Sequence, residues 1–177
     1  MAKRWTRRRR LVVRTVAISG FLALIAGGVR FFPQMDRLEG SDLQMGIKLT
    51  GLPLQGSEID LMEGEYLIEI FSPKCGHCKR AVPKMNALAD APGLPSLVAL
   101  SPFAQSDPAT VDFKMKLGPR YAIATISRVD FFRLTSGHSY PRLAYVRDGV
   151  VQGVWESDSM PTVEDLQGYV KERRQGG

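Results

Sequence analysis

Cysteine and histidine are scarce in this chain, whose 177 residues contain only two of each. A secreted domain held together by disulfides would have more cysteines, spread widely along the sequence. A tetrahedral zinc site needs four ligands, which would have to come from distant segments of this chain. The sequence therefore argues against both a disulfide scaffold and a structural zinc site, and the close pair Cys75 and Cys78 needs another explanation.

Acidic residues are absent from the first 30 positions, which hold eight of the 24 Lys and Arg residues. The rest of the chain contains 16 Lys and Arg against all 18 Asp and Glu, so the net charge of +6 arises at the N-terminus. A near-neutral domain lacks the clustered positive field that phosphate binding requires. We therefore expect no nucleic-acid partner.

The basic N-terminus is followed by an apolar run. Residues 11–32 carry no charge except Arg14 and Arg30 near the ends, and this length crosses a hydrocarbon core of about 30 Å. Both arginines can snorkel to the headgroups. Basic residues before an apolar run keep the N-terminus in the cytoplasm. The sequence predicts a cytoplasmic segment at 1–10, a single-pass transmembrane signal-anchor at 11–32, and a C-terminal domain in the periplasm or another extracytoplasmic space.

A cleaved signal peptide is the alternative for this segment. The Ala-Gly-Gly at 26–28 offers small residues for cleavage, and the arginine pair at 8–9 resembles part of a twin-arginine signal. Either interpretation places the domain outside the cytoplasm. Residues 33–45 are polar and lack sustained periodicity, so we predict a linker there and a folded domain at 46–177.

Hydrophobic periodicity predicts alternating strands and helices in the domain. The dense apolar run at 66–71 predicts a buried strand, and the helical pattern after it stops at 91–93. The other predicted elements are strands 47–49 and 58–61, strand 95–100, helix 108–117, strand 123–126, a helical turn at 129–134, strands 142–146 and 150–155, and helix 162–173. Asp107 and Thr162 are expected N-caps, and the Asp-Gly pair at 148–149 is typical of a hairpin turn. This order predicts an α/β domain with a mixed sheet and helices on both faces.

The two cysteines belong to the motif Cys75-Gly76-His77-Cys78, at the junction between the buried strand and the following helix. Unpaired N–H groups and the helix dipole at a helix start stabilise a thiolate. Cys78 follows one turn later on the same side and can form a disulfide with Cys75. We predict that Cys75 attacks and Cys78 resolves. A static short-range disulfide or an inert pair of cysteines is the alternative, although a stabilising disulfide usually closes a longer loop.

The segment 67–79, which is LIEIFSPKCGHCK, together with Pro83 resembles the active-site segment of thioredoxin-fold proteins. The Cys-Gly-His-Cys motif and Glu69 resemble protein disulfide isomerase domains. The export segment and the N-terminal strands instead resemble the bacterial membrane-tethered thioredoxin-like proteins of the TlpA and ResA kind. The resemblance covers residues 46–173, and it implies a three-layer thioredoxin-like fold with thiol:disulfide oxidoreductase activity.

The resemblance also implies roles for residues outside the motif. In the resembled family the Glu69 position holds an acid that assists proton transfer to the resolving cysteine, so Glu69 would be a general acid/base for Cys78. An edge carboxylate that reaches solvent is the alternative. Pro141 would be a cis-proline beside the disulfide, and the loop of Tyr140 and Pro141 would present backbone groups to a substrate strand. A trans-proline at the start of a strand is the other interpretation.

Three further side chains lie close to these residues in the sequence. His77 would favour the Cys75 thiolate and so make the disulfide easier to reduce. Lys74 stands where the resembled family usually has an aromatic residue, so a mobile cation replaces a flat apolar contact. His138 is interpreted as an ordinary loop histidine, although it is near Pro141.

No pattern indicates a cofactor or a metal, so the Cys75–Cys78 disulfide is the one redox group that we predict. The large apolar side chains are interpreted as core residues. They are Phe113, Met115, Phe131, Phe132 and Trp155.

The leading hypothesis is a membrane-tethered thiol:disulfide oxidoreductase that acts on protein cysteines through a mixed disulfide. Its direction stays open among reductant, oxidase and isomerase, and a reductant would need a membrane or extracytoplasmic redox partner. A Cu(I) metallochaperone that uses the same two thiolates is the main alternative. A redox-inactive interaction module on the same fold is a third.

Overall fold

The computed structural model of this chain describes residues 43–176. The predicted segments at 1–10 and 11–32 lie outside these residues, as does most of the predicted linker at 33–45, so the membrane anchor stays a prediction. Within the described stretch, no helix combines the length and the apolar character needed to cross a bilayer. The elements of this stretch are β1 (Glu65–Ile70), α1 (Gly76–Asp90), β2 (Ser96–Ser101), α2 (Pro108–Leu117), β3 (Ala122–Thr125), α3 (Arg128–Thr135), β4 (Arg142–Arg147), β5 (Val150–Trp155) and α4 (Val163–Gln175).

The five strands form one sheet in the order β3-β2-β1-β4-β5. Strands β1, β2 and β3 are parallel, whereas β4 runs antiparallel to β1 and β5 antiparallel to β4. Parallel neighbours need long crossover connections, which α1 and α2 provide, and antiparallel neighbours can be joined by a tight turn. The mixed sheet predicted from the element order is confirmed.

Side chains that alternate along β1 divide the core between the two faces of the sheet. Leu67 and Phe71 pack with residues of α1, α2 and α4, whereas Ile68 and Ile70 pack on the opposite face with α3. Both faces of β1 are therefore covered, which explains why its sequence is a nearly continuous apolar run. The result is a three-layer arrangement with β1 at its centre.

Short local signals set several element boundaries as predicted. The Asp107 side chain accepts a backbone hydrogen bond of 2.8 Å at the start of α2. Thr162 and Asp165 form a reciprocal capping box at the start of α4. The turn between β4 and β5 places Asp148 and Gly149 at φ values of 49° and 76°, as a two-residue hairpin turn requires.

The strands predicted at 47–49 and 58–61 are not formed. The first region contributes a single bridge, from Lys48 to Val150 of β5, and the second has no strand residues. Extension after Lys48 ends at Gly51, whose φ is 68°, a conformation that suits glycine and interrupts a strand. The alternating pattern was too short to form a ladder.

The N-terminal segment instead protects both edges of the sheet. Lys48 pairs with β5 at one edge, and Gln55 pairs with Thr125 of β3 at the other. Gln55 and Thr125 exchange two backbone hydrogen bonds of 2.8 and 2.9 Å. Unpaired edge strands are prone to pair with other chains, so these contacts shield the sheet.

The folded domain begins upstream of its predicted start at Gly46. Leu43, assigned to the linker, is fully buried against the α3 face of the sheet. Its carbonyl oxygen accepts a hydrogen bond of 3.1 Å from Arg142. One anchoring leucine in a polar stretch produces no periodic pattern, and the predicted linker was therefore too long at its C-terminal end.

The predicted core residues divide into two groups. Phe113 is buried, and Phe131 and Trp155 are partly buried against the core. The prediction that Met115 and Phe132 are core residues is wrong, because their side chains are 74% and 69% exposed. Met115 lies two residues beyond Phe113, which places it about 200° around the helix from that buried ring. Phe132 likewise lies on a different face of its helix from Phe131, which packs against the core.

We expect Phe113→Ala to lower the free energy of unfolding by roughly 3–5 kcal/mol, because it leaves a cavity in the core. The Phe113 ring packs against the Phe71 ring with a centroid separation of 5.0 Å. Phe132→Ala serves as the matched control and should change stability by about 0.5 kcal/mol or less. Urea unfolding of both variants measures the difference, and equal losses would contradict the assignment of the two faces.

Candidate active site

The cysteine motif lies at the start of α1, directly after the central strand. Cys75 is the N-cap residue of the helix, and its Sγ accepts a hydrogen bond of 3.4 Å from the backbone N–H of Cys78. Donors at a helix N-terminus stabilise negative charge on a neighbouring sulfur. The structure therefore places Cys75 where the sequence predicted it.

The two cysteines differ in accessibility. Both are thiols, but Cys75 is partly exposed whereas Cys78 is fully buried. Burial raises the pKa of the Cys78 thiol, a backbone hydrogen bond with Ser72 opposes this rise, and the neighbouring Cys75 and Glu69 add to it. Cys75 can therefore meet a substrate directly, and Cys78 needs a base before it can act as a nucleophile.

A loop from the other half of the domain stands beside Cys75. The Tyr140–Pro141 peptide bond is cis, the geometry that the resemblance implied. The Tyr140 carbonyl oxygen accepts a hydrogen bond of 3.7 Å from Cys75 Sγ. The Tyr140 ring packs edge-on against Phe131 of α3, with a centroid separation of 5.6 Å. Tyr140 and Pro141 thus lie next to the accessible thiol.

Arg142 supports this loop, and sequence reasoning missed it. Its side chain is 2% exposed. It donates hydrogen bonds of 2.6 Å to the carbonyl of Leu134, 3.1 Å to that of Leu43, and 3.0 Å to the Glu156 carboxylate. A buried arginine with these partners joins the start of β4 to α3 and to the N-terminal segment. In the sequence it is simply one polar residue at a strand start.

The remaining predicted site residues lie on the exposed rim. Lys74 Nζ lies 4.6 Å from the centroid of the Phe103 ring, so this cation stacks on an aromatic residue from the loop after β2. His77 is exposed between the two cysteines. His138 Nδ1 lies 3.2 Å from Glu156, in keeping with a loop histidine. The effects of Lys74 and His77 on reactivity stay predictions.

Glu69 lies on β1 behind the motif and is fully buried. Neither of its carboxyl oxygens has a hydrogen-bond partner of good geometry. Burial raises the pKa of Glu69 to about 8, and the neighbouring Tyr121 hydroxyl opposes part of that rise. The alternative of an edge carboxylate reaching solvent is therefore wrong, because β1 is the central strand. A carboxyl group of this kind is mostly protonated at pH 7.

The register of the three parallel strands brings Tyr121 close to Glu69. Glu69 pairs with Ala99 of β2, and Ala99 pairs with Ile123 of β3. Tyr121 precedes Ile123 by two residues and packs against the same core cluster as Cys78. Burial raises the pKa of Tyr121, and Glu69 and then Cys78 raise it further. We call these three residues (Glu69, Cys78 and Tyr121) the buried cluster.

Sequence reasoning did not find Tyr121, since no local pattern links it to the cysteine motif. A correct alignment of the parallel strands is the one signal that would have found it. Among residues 43–176, no group of three or more His, Cys, Asp and Glu side chains could hold a metal ion. Binding of Cu(I) would therefore rest on the two thiols of Cys75 and Cys78.

No protein-family model matches this sequence, and no curated protein matches it either. Solved structures do share its fold. One is the thioredoxin domain of a thiol-disulfide oxidoreductase from Bacteroides vulgatus, with a TM-score of 0.56 and 12% identity, covering 74% of this chain and 98% of that one. A thiol:disulfide interchange protein from Bacteroides sp. has a TM-score of 0.57 and 12% identity, covering 77% of this chain and 93% of that one.

A secreted disulfide oxidoreductase from Mycobacterium tuberculosis is a third, with a TM-score of 0.50 and 16% identity, covering 77% of this chain and 98% of that one. Identities this low show a shared fold and do not transfer an activity. The domain at 43–176 has the thioredoxin-like α/β fold, with a mixed five-stranded sheet covered on both faces.

Glu69→Gln tests the protonation state of the buried carboxyl. Folding raises this pKa from 4.5 to about 8, so between these values the folded chain keeps a proton that the unfolded chain has lost. The stability of the wild type relative to Glu69→Gln should therefore fall as the pH rises from about 5 to 8, by on the order of 3 kcal/mol. Urea unfolding at several pH values measures it.

Glu65→Gln is the matched control at the other end of β1. A hydrogen bond with Arg174 is the main cause that lowers the pKa of Glu65. An acid of this kind contributes stability above its unfolded pKa, and the contribution is lost as the pH falls. The two variants should therefore show opposite pH trends, and parallel trends would show that Glu69 is not a neutral buried acid.

Proposed function

We propose that this protein is a thiol:disulfide oxidoreductase that acts on cysteines of other proteins. The observation that carries the proposal is the pairing of an accessible Cys75 at a helix N-terminus with a buried Cys78 one turn later. A cis-proline loop stands beside the accessible thiol, and a buried carboxyl stands behind the second one. This arrangement suits successive attack by two thiols.

The first step is attack by the Cys75 thiolate on a substrate disulfide. A bond forms between Cys75 Sγ and one substrate sulfur, and the other substrate sulfur leaves as a thiolate. Cys78 then loses its proton to the Glu69 carboxylate and attacks Cys75 Sγ. The second substrate sulfur is released, the Cys75–Cys78 disulfide forms, and the substrate gains two electrons. The same steps in reverse oxidise a substrate dithiol.

The loop of Tyr140 and Pro141 is the proposed contact for the substrate backbone. In the dithiol form the Tyr140 carbonyl oxygen accepts the Cys75 S–H. Once Cys75 is a thiolate this donor is gone, and the carbonyl can accept an N–H from an extended substrate segment. Lys74 and His77 lie on either side of Cys75 in the sequence, and we expect them to adjust the reactivity of its thiol.

We further propose that the domain works outside the cytoplasm and is tethered to the membrane by residues 11–32. The support for this is the basic cluster followed by a long run with charges only near its ends. Such a protein would exchange electrons with a membrane or extracytoplasmic redox partner. Whether the protein reduces or oxidises its substrates depends on the reduction potential of the Cys75–Cys78 pair. A value near about −270 mV indicates a reductant and one near −120 mV an oxidase.

Serine variants of the two cysteines test the chemistry. Full-length protein should reduce insulin disulfides with dithiothreitol as the electron source, and Cys75→Ser should lower this rate by about 100-fold or more, because the attacking sulfur is lost. Cys78→Ser should retain the first step and accumulate mixed disulfides on Cys75, visible on non-reducing gels.

The same proteins separate catalysis from copper binding. Titration with Cu(I) and a competing chelator measures the affinity of the wild type and of Cys75→Ser. Tight stoichiometric binding that requires Cys75, in a protein that does not reduce insulin or trap mixed disulfides, would favour the metallochaperone over the oxidoreductase.

A further inference from the structure

The buried cluster contains an unusual concentration of unpaired polar atoms. Within residues 43–176, four buried side-chain oxygens lack a hydrogen-bond partner, and three of them are the two Glu69 carboxyl oxygens and the Tyr121 hydroxyl. The fourth belongs to Thr110. A buried polar group without a partner costs about 1–3 kcal/mol, and a native exception of this kind calls for a functional explanation.

We propose that Tyr121 is a positioning residue for the resolving step, whose hydroxyl orients the Glu69 carboxyl toward Cys78 and determines how readily that carboxyl accepts a proton. This inference rests on the proposed function, because it assigns a control element to the same site. It goes beyond that function because Tyr121 belongs to neither the cysteine motif nor the cis-proline loop.

Among residues 43–176, Tyr121 is the side chain whose hydroxyl acts on the titration of Glu69. The facing residues on β2 and β4 are Ala99 and Leu143. The groups from the described elements that act on the titration of the cluster are Cys78 and Cys75 at the start of α1, the Ser72 backbone and Tyr121 before β3. No charged Lys or Arg side chain is among them. The carboxyl therefore has Tyr121 as its available side-chain donor.

The chemistry of the two oxygens assigns them different roles. A phenol hydroxyl that donates to a carboxylate favours the ionised form of that carboxylate. Tyr121 accordingly opposes the effect of burial on the pKa of Glu69. Burial and the nearby Glu69 raise the pKa of Tyr121 itself, so its hydroxyl keeps its proton at neutral pH. Tyr121 therefore acts as a donor, and Glu69 is the base.

Proton and electron transfers balance in this scheme. The S–H bond of Cys78 breaks, its proton moves to Glu69, and the new thiolate forms the bond to Cys75 Sγ while the substrate sulfur leaves with the electron pair. Ionised Glu69 is required at the start, so the step should accelerate as the pH rises toward the Glu69 pKa of about 8. Without the Tyr121 donor the pKa of Glu69 should be higher, so the resolving step should accelerate at a higher pH.

The test follows the resolving step alone. Full-length protein is prepared with 5-thio-2-nitrobenzoate disulfide-linked to Cys75, and the release of the coloured thiolate by Cys78 is recorded between about pH 6 and 9.5. For Tyr121→Phe we expect the midpoint to move upward by about half a pH unit or more, which lowers the rate at pH 7 about threefold or more. The rates at the alkaline plateau should converge.

Two comparisons make the result specific. Tyr145→Phe removes a buried hydroxyl that donates 2.8 Å to Glu65, outside the buried cluster, and should leave the midpoint unchanged. Replacing Tyr121 with 3-fluorotyrosine strengthens the donor at nearly constant shape, so it should move the midpoint to lower pH. This second substitution keeps the test valid if Tyr121→Phe fails to fold.

An unchanged midpoint in the folded Tyr121 variants would overturn the assignment of Tyr121. A uniform loss of rate at every pH would also overturn it, because that result indicates a structural role. If the wild type itself does not release the thiolate at any pH, the proposed function fails instead. The outcomes for the two proposals are therefore distinct.

Discussion

Burial of an acid and a thiol against the same face of the central strand is the constraint on which the site depends. Glu69 and Cys78 are fully excluded from solvent, and Glu69 disfavours the thiolate form of Cys78. A chain that only had to be stable would place an apolar residue at position 69, because an unpaired carboxyl in this environment is costly. The same environment keeps the carboxyl protonated near neutral pH and close to a second thiol that must lose its proton.

A second buried ionisable side chain, that of Arg142, has the opposite environment. Arg142 is as inaccessible as Glu69, but it is paired with Glu156 at 2.9 Å and bonded to two carbonyl oxygens. A buried charge that is paired and hydrogen-bonded is tolerated as structure. Arg142 follows Pro141 directly, so this network holds the cis-proline loop against Cys75. The domain thus provides partners for the charged Arg142 side chain that supports the site, whereas the Glu69 carboxyl within the site has no hydrogen-bond partner of good geometry.

The errors of sequence interpretation have a common cause in side-chain direction. Met115 and Phe132 have the chemistry of core residues, but they lie on helix faces that the sheet does not reach. Leu43 is also apolar and lies in a polar segment, yet it is fully buried, because its side chain packs in the same cluster as Leu134 of α3 and its carbonyl oxygen accepts a hydrogen bond from Arg142. The apolar character of a side chain gives its tendency to be buried, and the packing of the surrounding elements decides whether it is buried.

Local chemistry in the sequence determined the alternation of strands and helices, the helix caps, the hairpin turn and the cysteine pair at a helix start. These features depend on residues a few positions apart, so short segments specify them. Only the tertiary structure decided that Tyr121 stands beside Glu69, some 50 residues away in the chain. That contact depends on the register of three parallel strands joined by helices, and a parallel register is set by packing across the whole sheet rather than by any short segment.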